Sequence, residues 1–375
     1  MKGMKGKGMV TSIKSITILG AGHIGFAMAV LLRHVGDYEI LVSDRDSERL
    51  KPLAALGLDV MVVNDEVSLA RAVAGRYAVL NALPFRQAIT VAGMCVKAHA
   101  HYFDLTEDIG SAQAIRGLAV DATSVLMPQC GLAPGFIGIV GHDLARRFDR
   151  LLDLHLRVGA LPRYCLNRLR YNLTWSTEGL INQYCNPCNA IVDGEPTQVM
   201  ALEGYETFAL DGVEYEAFNT SGGLGTLMET LRGKARNVDY KSVRYPGHCA
   251  VMKLLLNDLR LRERRDLLKD ILEAAIPATR QDVIVVFASA SGYRNQRLVE
   301  ESYFSRMVGA EIDGNSLTAI QLTTAAGICT ALDLVVKGAL PQSGFIGQEQ
   351  IALDEFLQNR FGRACIENLA EARPA

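Results

Sequence analysis

The chain has 375 residues, 49% of them hydrophobic and 21% charged, which predicts a globular protein of two domains with a sizeable core. The formal net charge of −2 gives no basis for a nucleic acid or an anionic membrane as partner, and no apolar run approaches the roughly 20 residues of a membrane span. We therefore expect a small-molecule partner and a homodimer or homotetramer. Eight cysteines, mostly in apolar segments, predict reduced thiols in a cytoplasmic protein.

The N-terminal segment joins a tail to a glycine-rich turn. Residues 1–14 are basic and lead into an apolar run without a small-residue cleavage site, which predicts a tail and not a signal peptide. The run "ITILGAGHIG" then connects a strand to a long helix with G-x-G-x-x-G spacing. This spacing is typical of a turn that receives a pyrophosphate at a helix N-terminus. The predicted phosphate-binding residues are Gly20, Gly22, His23, Ile24 and Gly25.

A second strand, "YEILVSD", ends at Asp44, about 20 residues beyond the glycine turn. A carboxylate at this place accepts hydrogen bonds from the adenosine ribose hydroxyls and favours NAD. Arg45 could pair with the 2′-phosphate of NADP, so we expect NAD with NADP as the alternative. A glycine turn in an unrelated α/β protein is the other interpretation, but the order of strand, turn, helix and acid favours dinucleotide binding.

Strands and helices keep alternating up to the apolar segment "TSVLM" (123–127). This pattern predicts a Rossmann-type doubly wound parallel sheet within residues 15–135. Ligands bind beyond the carboxyl ends of the strands in such sheets. The informative loops are therefore 81–85, 104–108 and 128–135.

The pattern changes after residue 135 and predicts an inserted α+β domain over residues 136–316, which would bind substrate and form the oligomer contact. Hairpin-like segments predict a mostly antiparallel sheet with turns at Asp193-Gly194 and Asp211-Gly212. Helices are expected over residues 223–232 and 247–260.

The C-terminal part of the chain is predicted to return to the first domain. The apolar segment 317–338 and the amphipathic segment 347–361 both predict helices. The dinucleotide-binding domain is then composed of residues 15–135 and 317–375, with the substrate domain inserted between them.

Two segments of the inserted domain concentrate polar and aromatic side chains. In "RLRYNLTW" (168–175), a strand would place Arg170, Asn172 and Thr174 on one face and Tyr171, Leu173 and Trp175 on the other. We interpret Trp175 as core packing. In "VRYPGH", Arg244 ends a strand and His248 opens a helix. Because arginine binds carboxylates through two parallel hydrogen bonds, two arginines beside a cofactor cleft indicate an amino-acid or dicarboxylate substrate.

Each of these residues also has an interpretation without a function. Arg170 could be a solvated strand residue, and His248 a surface or capping residue. The glycine-rich stretch 221–233, with Gly223, could hold a carboxylate or bring two backbones together. Cys185 and Cys188 form a C-x-x-C pair without a second pair, which favours incidental thiols, and we expect no metal site.

The motifs together resemble the saccharopine dehydrogenase family, including its lysine 6-dehydrogenase branch. They are the glycine turn, "LPF", "YFDLTED", "PQCGLAPGF", "LRYNLTWSTEGL" and "VRYPGH", and they extend from about Ile16 to Lys337. The resemblance implies NAD(P)-dependent oxidation of the carbon–nitrogen bond at C6 of lysine or of saccharopine, which yields 2-aminoadipate 6-semialdehyde. The compact second domain favours the lysine branch, whereas Arg170 favours the saccharopine branch, so both remain open.

The resemblance also implies roles for individual residues. Asp104 and His248 would carry protons, with Glu107 as a third candidate. Substrate carboxylates would be held by Arg244, Arg170 and Tyr171. Leu83 and Pro84 would lie under the nicotinamide ribose. Gln129 would lie near the substrate amine, and Thr106 and Gly223 would also contact the substrate. The alternative from a different functional class is a regulatory or scaffold protein that binds a dinucleotide without turnover.

Overall fold

A computed structural model describes residues 13–366 of the chain. Most of the predicted basic tail over residues 1–14, and residues 367–375 of the predicted first domain, lie outside the described residues. The elements of the first part of the chain alternate as the sequence predicts. They are β1 (Lys14–Leu19), α1 (His23–Val35), β2 (Tyr38–Asp44), α2 (Ser47–Ala55), β3 (Asp59–Val62), α3 (Glu66–Val73), β4 (Ala78–Asn81), α4 (Ala88–Ala98), β5 (His101–Asp104), α5 (Ile109–Leu118), β6 (Val125–Met127) and α6 (Phe136–Ala145).

The second part of the chain contains long strands and shorter helices. Its elements are β7 (Arg150–Pro162), α7 (Thr177–Cys185), β8 (Cys188–Val192), β9 (Glu195–Val199), β10 (Glu206–Leu210), β11 (Val213–Asn219), α8 (Leu227–Leu231), β12 (Asn237–Arg244), α9 (His248–Lys253), α10 (Arg265–Ala275), β13 (Asp282–Arg294), β14 (Arg297–Val308), β15 (Ala310–Ile312) and β16 (Asn315–Leu317). The last elements are α11 (Ala319–Val336), β17 (Gly344–Phe345) and α12 (Leu353–Gln358).

Seven parallel strands form the first sheet in the order β17-β6-β5-β4-β1-β2-β3. The second sheet has eight strands, with the path β10-β11-β12-β7-β13-β14 and with β8 and β9 attached at β12. Its pairs are antiparallel except for β12 and β7. The predicted fold class, a Rossmann-type sheet with an inserted and mostly antiparallel domain, is confirmed.

Helix α11 and strand β17 return the chain to the first sheet. Asp282, the first residue of β13, accepts hydrogen bonds from the backbone N–H groups of Ala319 and Ile320 and so fixes the start of α11 on the inserted domain. Strand β17 then pairs with β6. Within residues 13–366, α11 is the one helix long and apolar enough to cross a membrane, and 78% of it is buried inside the protein.

The hairpin predictions hold and one strand prediction is wrong. Asp193 and Asp211 adopt positive φ angles in the predicted turns between β8 and β9 and between β10 and β11. The predicted strand over 168–175 is irregular, with a single bridge between Leu173 and Ala278. The side chain of Asn167 explains this, because it binds both the backbone N–H and the carbonyl of Tyr171 and thereby replaces a neighbouring strand.

Three further segments differ from the sequence prediction. The predicted helix over 347–361 is a single 3₁₀ turn at Gln348–Gln350 followed by the short helix α12. Helix α10, which buries Leu268 and Leu272 four residues apart, and strand β14 are absent from the prediction.

The packing of the glycine turn yields the first prediction. A Cβ at Gly25 would lie 1.8 Å from the carbonyl oxygen of Gly20, whereas a Cβ at Gly93, within α4, meets no atom within 4 Å. We expect Gly25→Ala to lower the melting temperature by several degrees, because backbone must move. Gly93→Ala should be neutral or stabilise by up to about 1 kcal/mol. Equal melting temperatures for the two variants would contradict this packing.

Candidate active site

The glycine turn leaves an open surface at the start of α1. Gly20 has φ 99°, and a Cβ there would lie 3.0 Å from the Ala82 carbonyl oxygen, so the tight turn requires glycine. A Cβ on Gly22 would meet only Nη1 of Arg49, at 3.9 Å. As the N-cap residue, Gly22 has no side chain to accept from the first N–H groups of α1. These N–H groups and the open space above Gly22 fit a dinucleotide pyrophosphate.

A groove of about 970 Å³ extends from this turn along the carboxyl ends of the strands. Asp44 lies at one end, where its carboxylate accepts hydrogen bonds from the backbone N–H groups of Ala21 at 2.7 Å and Asp46 at 2.9 Å. The buried Ser43 hydroxyl has no partner within residues 13–366. The predicted residues that line the groove are Gly20, Gly22, Ile24, Asp44, Arg45, Leu83, Pro84, Thr106 and Glu107.

A second cavity, of about 650 Å³, lies between the two domains and contains Arg244. Arg244 ends β12, is 2% exposed and forms no ion pair with any carboxylate of residues 13–366. Its Nε donates to the Tyr184 hydroxyl at 2.9 Å and its Nη1 to the Val243 carbonyl at 2.8 Å. Because an unpaired buried guanidinium is costly, this cavity is suited to a carboxylate ligand. His23 and Gly25 of the predicted turn also line it.

Glu107 lies where the groove and this cavity meet. It lines both of them and a third cavity beside α7 and α10. Burial, followed by the negative charges of Asp108 and Glu178, raises the pKa of Glu107 to about 7. A carboxyl group that changes charge near neutral pH at a cofactor groove is suited to general acid–base catalysis.

Trp175 lies at the same junction and packs against the apolar cluster that contains Leu180 and Tyr184, as predicted, but it also has a place at the cleft. The indole is only partly buried and lines both the groove and the Arg244 cavity. A Cβ on Gly179 would lie 2.3 Å from Cζ3 of Trp175 and 3.2 Å from Oε1 of Glu107. The absence of a side chain at Gly179, near the start of α7, therefore allows the ring and the carboxylate to converge.

Two predicted proton carriers do not reach the cleft. Asp104 is 1% exposed. Its carboxylate accepts hydrogen bonds from the backbone N–H groups of Thr106 and Gln129 and from the Tyr102 hydroxyl. These hydrogen bonds fix the loops after β5 and β6. Burial raises the pKa of Asp104 to about 6, although these hydrogen bonds lower it. His248 is fully buried behind Arg244, with both ring nitrogens hydrogen-bonded.

Four predicted substrate contacts also lie outside the lining of the described cavities. Arg170 is exposed in a turn with φ 54°, because the segment is not a strand. Tyr171 is buried, and its ring lies 5.1 Å from the Arg244 guanidinium, so it supports Arg244 and does not line the cavity. A Cβ on Gly223 would strike the Tyr240 ring at 2.3 Å. The Gln129 side chain is buried toward Gly225, and its Oε1 has no partner within residues 13–366.

The sequence reasoning missed several residues that line the Arg244 cavity. Tyr240 and Ser242 precede Arg244 on β12 at intervals of two, so strand alternation applied to this segment would have placed all three on one face. The helix residue Gln183 and the α10 residue Lys269 also line the cavity, and no local pattern marks them.

The cysteine pair shows no sign of chemistry. Cys185 ends α7 and Cys188 begins β8, and both are buried free thiols. Burial raises the pKa of Cys188 to about 12. Residues 13–366 contain no group of three or more His, Cys, Asp and Glu side chains placed to hold a metal ion.

Comparison with known proteins assigns the family. A family model for the saccharopine dehydrogenase NADP binding domain matches residues 16–124, and one for the saccharopine dehydrogenase C-terminal domain matches residues 131–363. The chain belongs to the saccharopine dehydrogenase family. The resemblance inferred from the motifs is therefore confirmed, and the first domain is of the NADP-binding type.

Relatives within the saccharopine dehydrogenase family are distant. The saccharopine dehydrogenase [NADP(+), L-glutamate-forming] of Pyricularia oryzae is 23% identical over 301 residues, 74% of this chain and 64% of that protein. The mitochondrial alpha-aminoadipic semialdehyde synthase of Rattus norvegicus is 22% identical over 254 residues, 59% of this chain and 27% of that protein. This chain thus spans less than two thirds of either relative. The apo saccharopine dehydrogenase (L-Glu forming) of Saccharomyces cerevisiae shares the fold, with a TM-score of 0.73 at 15% identity over 91% of this chain and 95% of that chain.

The environment of Asp44 yields a prediction on cofactor choice. Asp44→Asn retains an oxygen that can accept from Ala21 but removes the negative charge that would repel a 2′-phosphate. We expect the affinity for NADPH relative to NADH to rise about 10-fold, measured by fluorescence titration. Arg45→Ala should weaken NADPH binding alone. Equal effects of Asp44→Asn on both cofactors would contradict a role at the 2′ position.

Proposed function

We propose that this protein is an NAD(P)-dependent dehydrogenase that oxidises a carbon–nitrogen bond of a carboxylate-bearing amino acid, with saccharopine or lysine as substrate and 2-aminoadipate 6-semialdehyde as product. The observation that carries the proposal is the buried Arg244, which lacks a carboxylate partner within residues 13–366 and lines a cavity that shares Gly22 and Glu107 with the dinucleotide groove. The similarity to the saccharopine dehydrogenase of P. oryzae favours saccharopine as the first substrate to test. Cytoplasmic location and a homo-oligomeric state belong to the same proposal.

The substrate would lie with a carboxylate at Arg244 and its amine at Glu107. NAD(P)⁺, when bound in the groove, supplies the hydride acceptor. Leu83 and Pro84 would line the nicotinamide end, because they and Glu107 belong to the same groove. Lys269, which lines two cavities beside Glu107, offers a second cation to a substrate with more than one carboxylate.

Glu107 would prepare the amine for oxidation. A lysine-type amine has a pKa of about 10.4 in water and is protonated at neutral pH, whereas hydride loss from the adjacent carbon needs a free lone pair. The ionised Glu107 carboxylate would accept the proton and pass it to solvent, and the carboxylate restored in this way would stabilise the cationic iminium that forms on hydride loss. The partly buried Trp175 ring beside it would offer a π face to the same cation. Water hydrolyses the iminium to the semialdehyde and releases the amine.

Substitution of Arg244, the proposed binding residue for the substrate carboxylate, gives the main test. We expect Arg244→Ala to raise the KM for the amino acid about 100-fold, because a buried charge-assisted pair is lost, while the KM for the nicotinamide cofactor changes little. The measurement is the initial rate of reduced-cofactor absorbance with saccharopine and with lysine. The exposed Arg168 provides a control, Arg168→Ala, that should leave both constants unchanged. A wild-type protein that binds NADPH yet reduces neither cofactor with either substrate would instead indicate the non-catalytic scaffold.

The pKa of Glu107 predicts a pH dependence. The group must be ionised to accept a proton, and its pKa is raised to about 7, so activity should increase from the acid side with a midpoint near pH 7. Glu178→Gln removes a neighbouring negative charge, which lowers the pKa of Glu107 and moves the midpoint to lower pH. Glu107→Gln should lower kcat about 10²–10⁴-fold, and the remaining activity should no longer rise with pH around pH 7. If the activity of Glu107→Gln still rises with pH around a midpoint near 7, the proton transfer belongs to another group.

A further inference from the structure

The orientation of Arg244 depends on a buried hydrogen-bonded chain that reaches away from the cavity. The Arg244 Nε lies 2.9 Å from the Tyr184 hydroxyl, and that hydroxyl lies 3.0 Å from Nε2 of His248. Nδ1 of His248 lies 2.8 Å from the Leu169 carbonyl oxygen. Tyr184 and His248 are fully buried, and the chain links β12, α7 and α9 to the irregular segment before α7.

The chemistry of the groups fixes the direction of every bond in this chain. A carbonyl oxygen can only accept, so Nδ1 of His248 carries the hydrogen. Burial, followed by the positive charge of Arg244, lowers the pKa of His248 to about 3, and the ring is therefore neutral. Nε2 then has no hydrogen and accepts from the Tyr184 hydroxyl. The Tyr184 oxygen keeps its lone pairs for the Arg244 Nε–H.

A buried carboxylate holds the far end of the chain in place. Glu216 of β11 accepts hydrogen bonds from the backbone N–H groups of Gly247 at 2.7 Å and Cys249 at 2.6 Å, on either side of His248. Glu216 is also the register partner of Arg244 in the β11–β12 pair, but the two side chains form no ion pair. Because the turn occupies its carboxylate, Glu216 positions His248 and leaves the Arg244 charge for a ligand.

We propose that Tyr184 and His248 are positioning residues that orient the Arg244 guanidinium toward the substrate carboxylate through this chain. The proposal rests on the proposed function, in which Arg244 binds that carboxylate. A pure packing role is the competing explanation, since the Tyr184 and His248 rings contact each other at a centroid distance of 5.7 Å. Packing alone would affect the melting temperature and not the affinity for the substrate.

Matched variants of His248 separate the two explanations. His248→Gln places an amide oxygen near Nε2, where it can accept from Tyr184, whereas His248→Asn reaches only the Leu169 carbonyl. Tyr184→Phe removes the hydroxyl and keeps the ring. Tyr245→Phe is the control, because it removes a hydroxyl that donates to the Pro162 carbonyl at 3.0 Å, one residue from Arg244 but away from the chain.

We expect Tyr184→Phe and His248→Asn to raise the KM for saccharopine about 10-fold, the effect of one hydrogen bond to a charged group, with kcat and the cofactor KM within about threefold of wild type. His248→Gln and Tyr245→Phe should stay near wild type. Equal effects of the Gln and Asn variants, or a Tyr184→Phe variant that matches Tyr245→Phe, would overturn the positioning role. Should both His248 variants fail to fold in thermal melting, Tyr184→Phe against Tyr245→Phe decides the question.

Calorimetric titration with saccharopine and with lysine separates failure of this inference from failure of the proposed function. Weaker binding in Tyr184→Phe without turnover in the wild type would support the chain and refute the dehydrogenase. Wild-type turnover with unchanged constants in Tyr184→Phe would refute the chain and leave the dehydrogenase intact. A wild type that neither binds nor turns over either compound would overturn both.

Discussion

The burial of one unpaired guanidinium governs the organisation of the inserted domain. Removing a charge from water without a partner costs several kcal/mol, and Arg244 receives no carboxylate from residues 13–366 in return. The protein offsets part of this cost with the Tyr184 hydroxyl, the Val243 carbonyl and the faces of Tyr171 and Tyr184. Arg244 also lines a cavity, so a carboxylate ligand there would complete an interaction that the described residues leave open.

The same cavity is also lined by a group of the opposite charge, Glu107. Glu107 comes from the loop after β5 in the first domain, and its raised pKa reflects a negative charge held in a poorly solvated place. An amino acid carries the inverse arrangement, with a carboxylate for Arg244 and an amine for Glu107. In the proposed function the two groups would therefore orient the substrate, and the groove that Glu107 lines is also the groove of the glycine turn.

The sequence predicted the first domain because its information is local. The spacing of Gly20, Gly22 and Gly25, and the position of Asp44 at a strand end, follow from backbone geometry that any chain of this pattern adopts. Arg244 and the start of α9 were likewise visible from a strand that ends before a Pro-Gly turn.

The rest of the site depends on which side chains are buried together, which local patterns do not show. His248 and Asp104 have the chemistry of proton carriers, yet each is enclosed by partners from distant segments. Arg170 was misplaced because one amide, that of Asn167, replaces the neighbouring strand. Trp175 is near the cofactor groove only because Gly179 leaves space for its ring.

The pKa of Glu107 depends on how the two domains lie relative to each other. Burial and then the negative charge of Asp108, a residue of the first domain, raise the pKa of Glu107, and Glu178 of α7 in the inserted domain raises it further. Arg86 of the first domain pairs with that same Glu178 at 3.3 Å. A change in the separation of the domains would therefore change the charge that Glu107 experiences. Asp282 fixes the returning helix α11 to the inserted domain, so this separation is constrained at the crossing where the chain returns. The pKa of Glu107 thus depends on the packing of the two domains as well as on the loop that carries it.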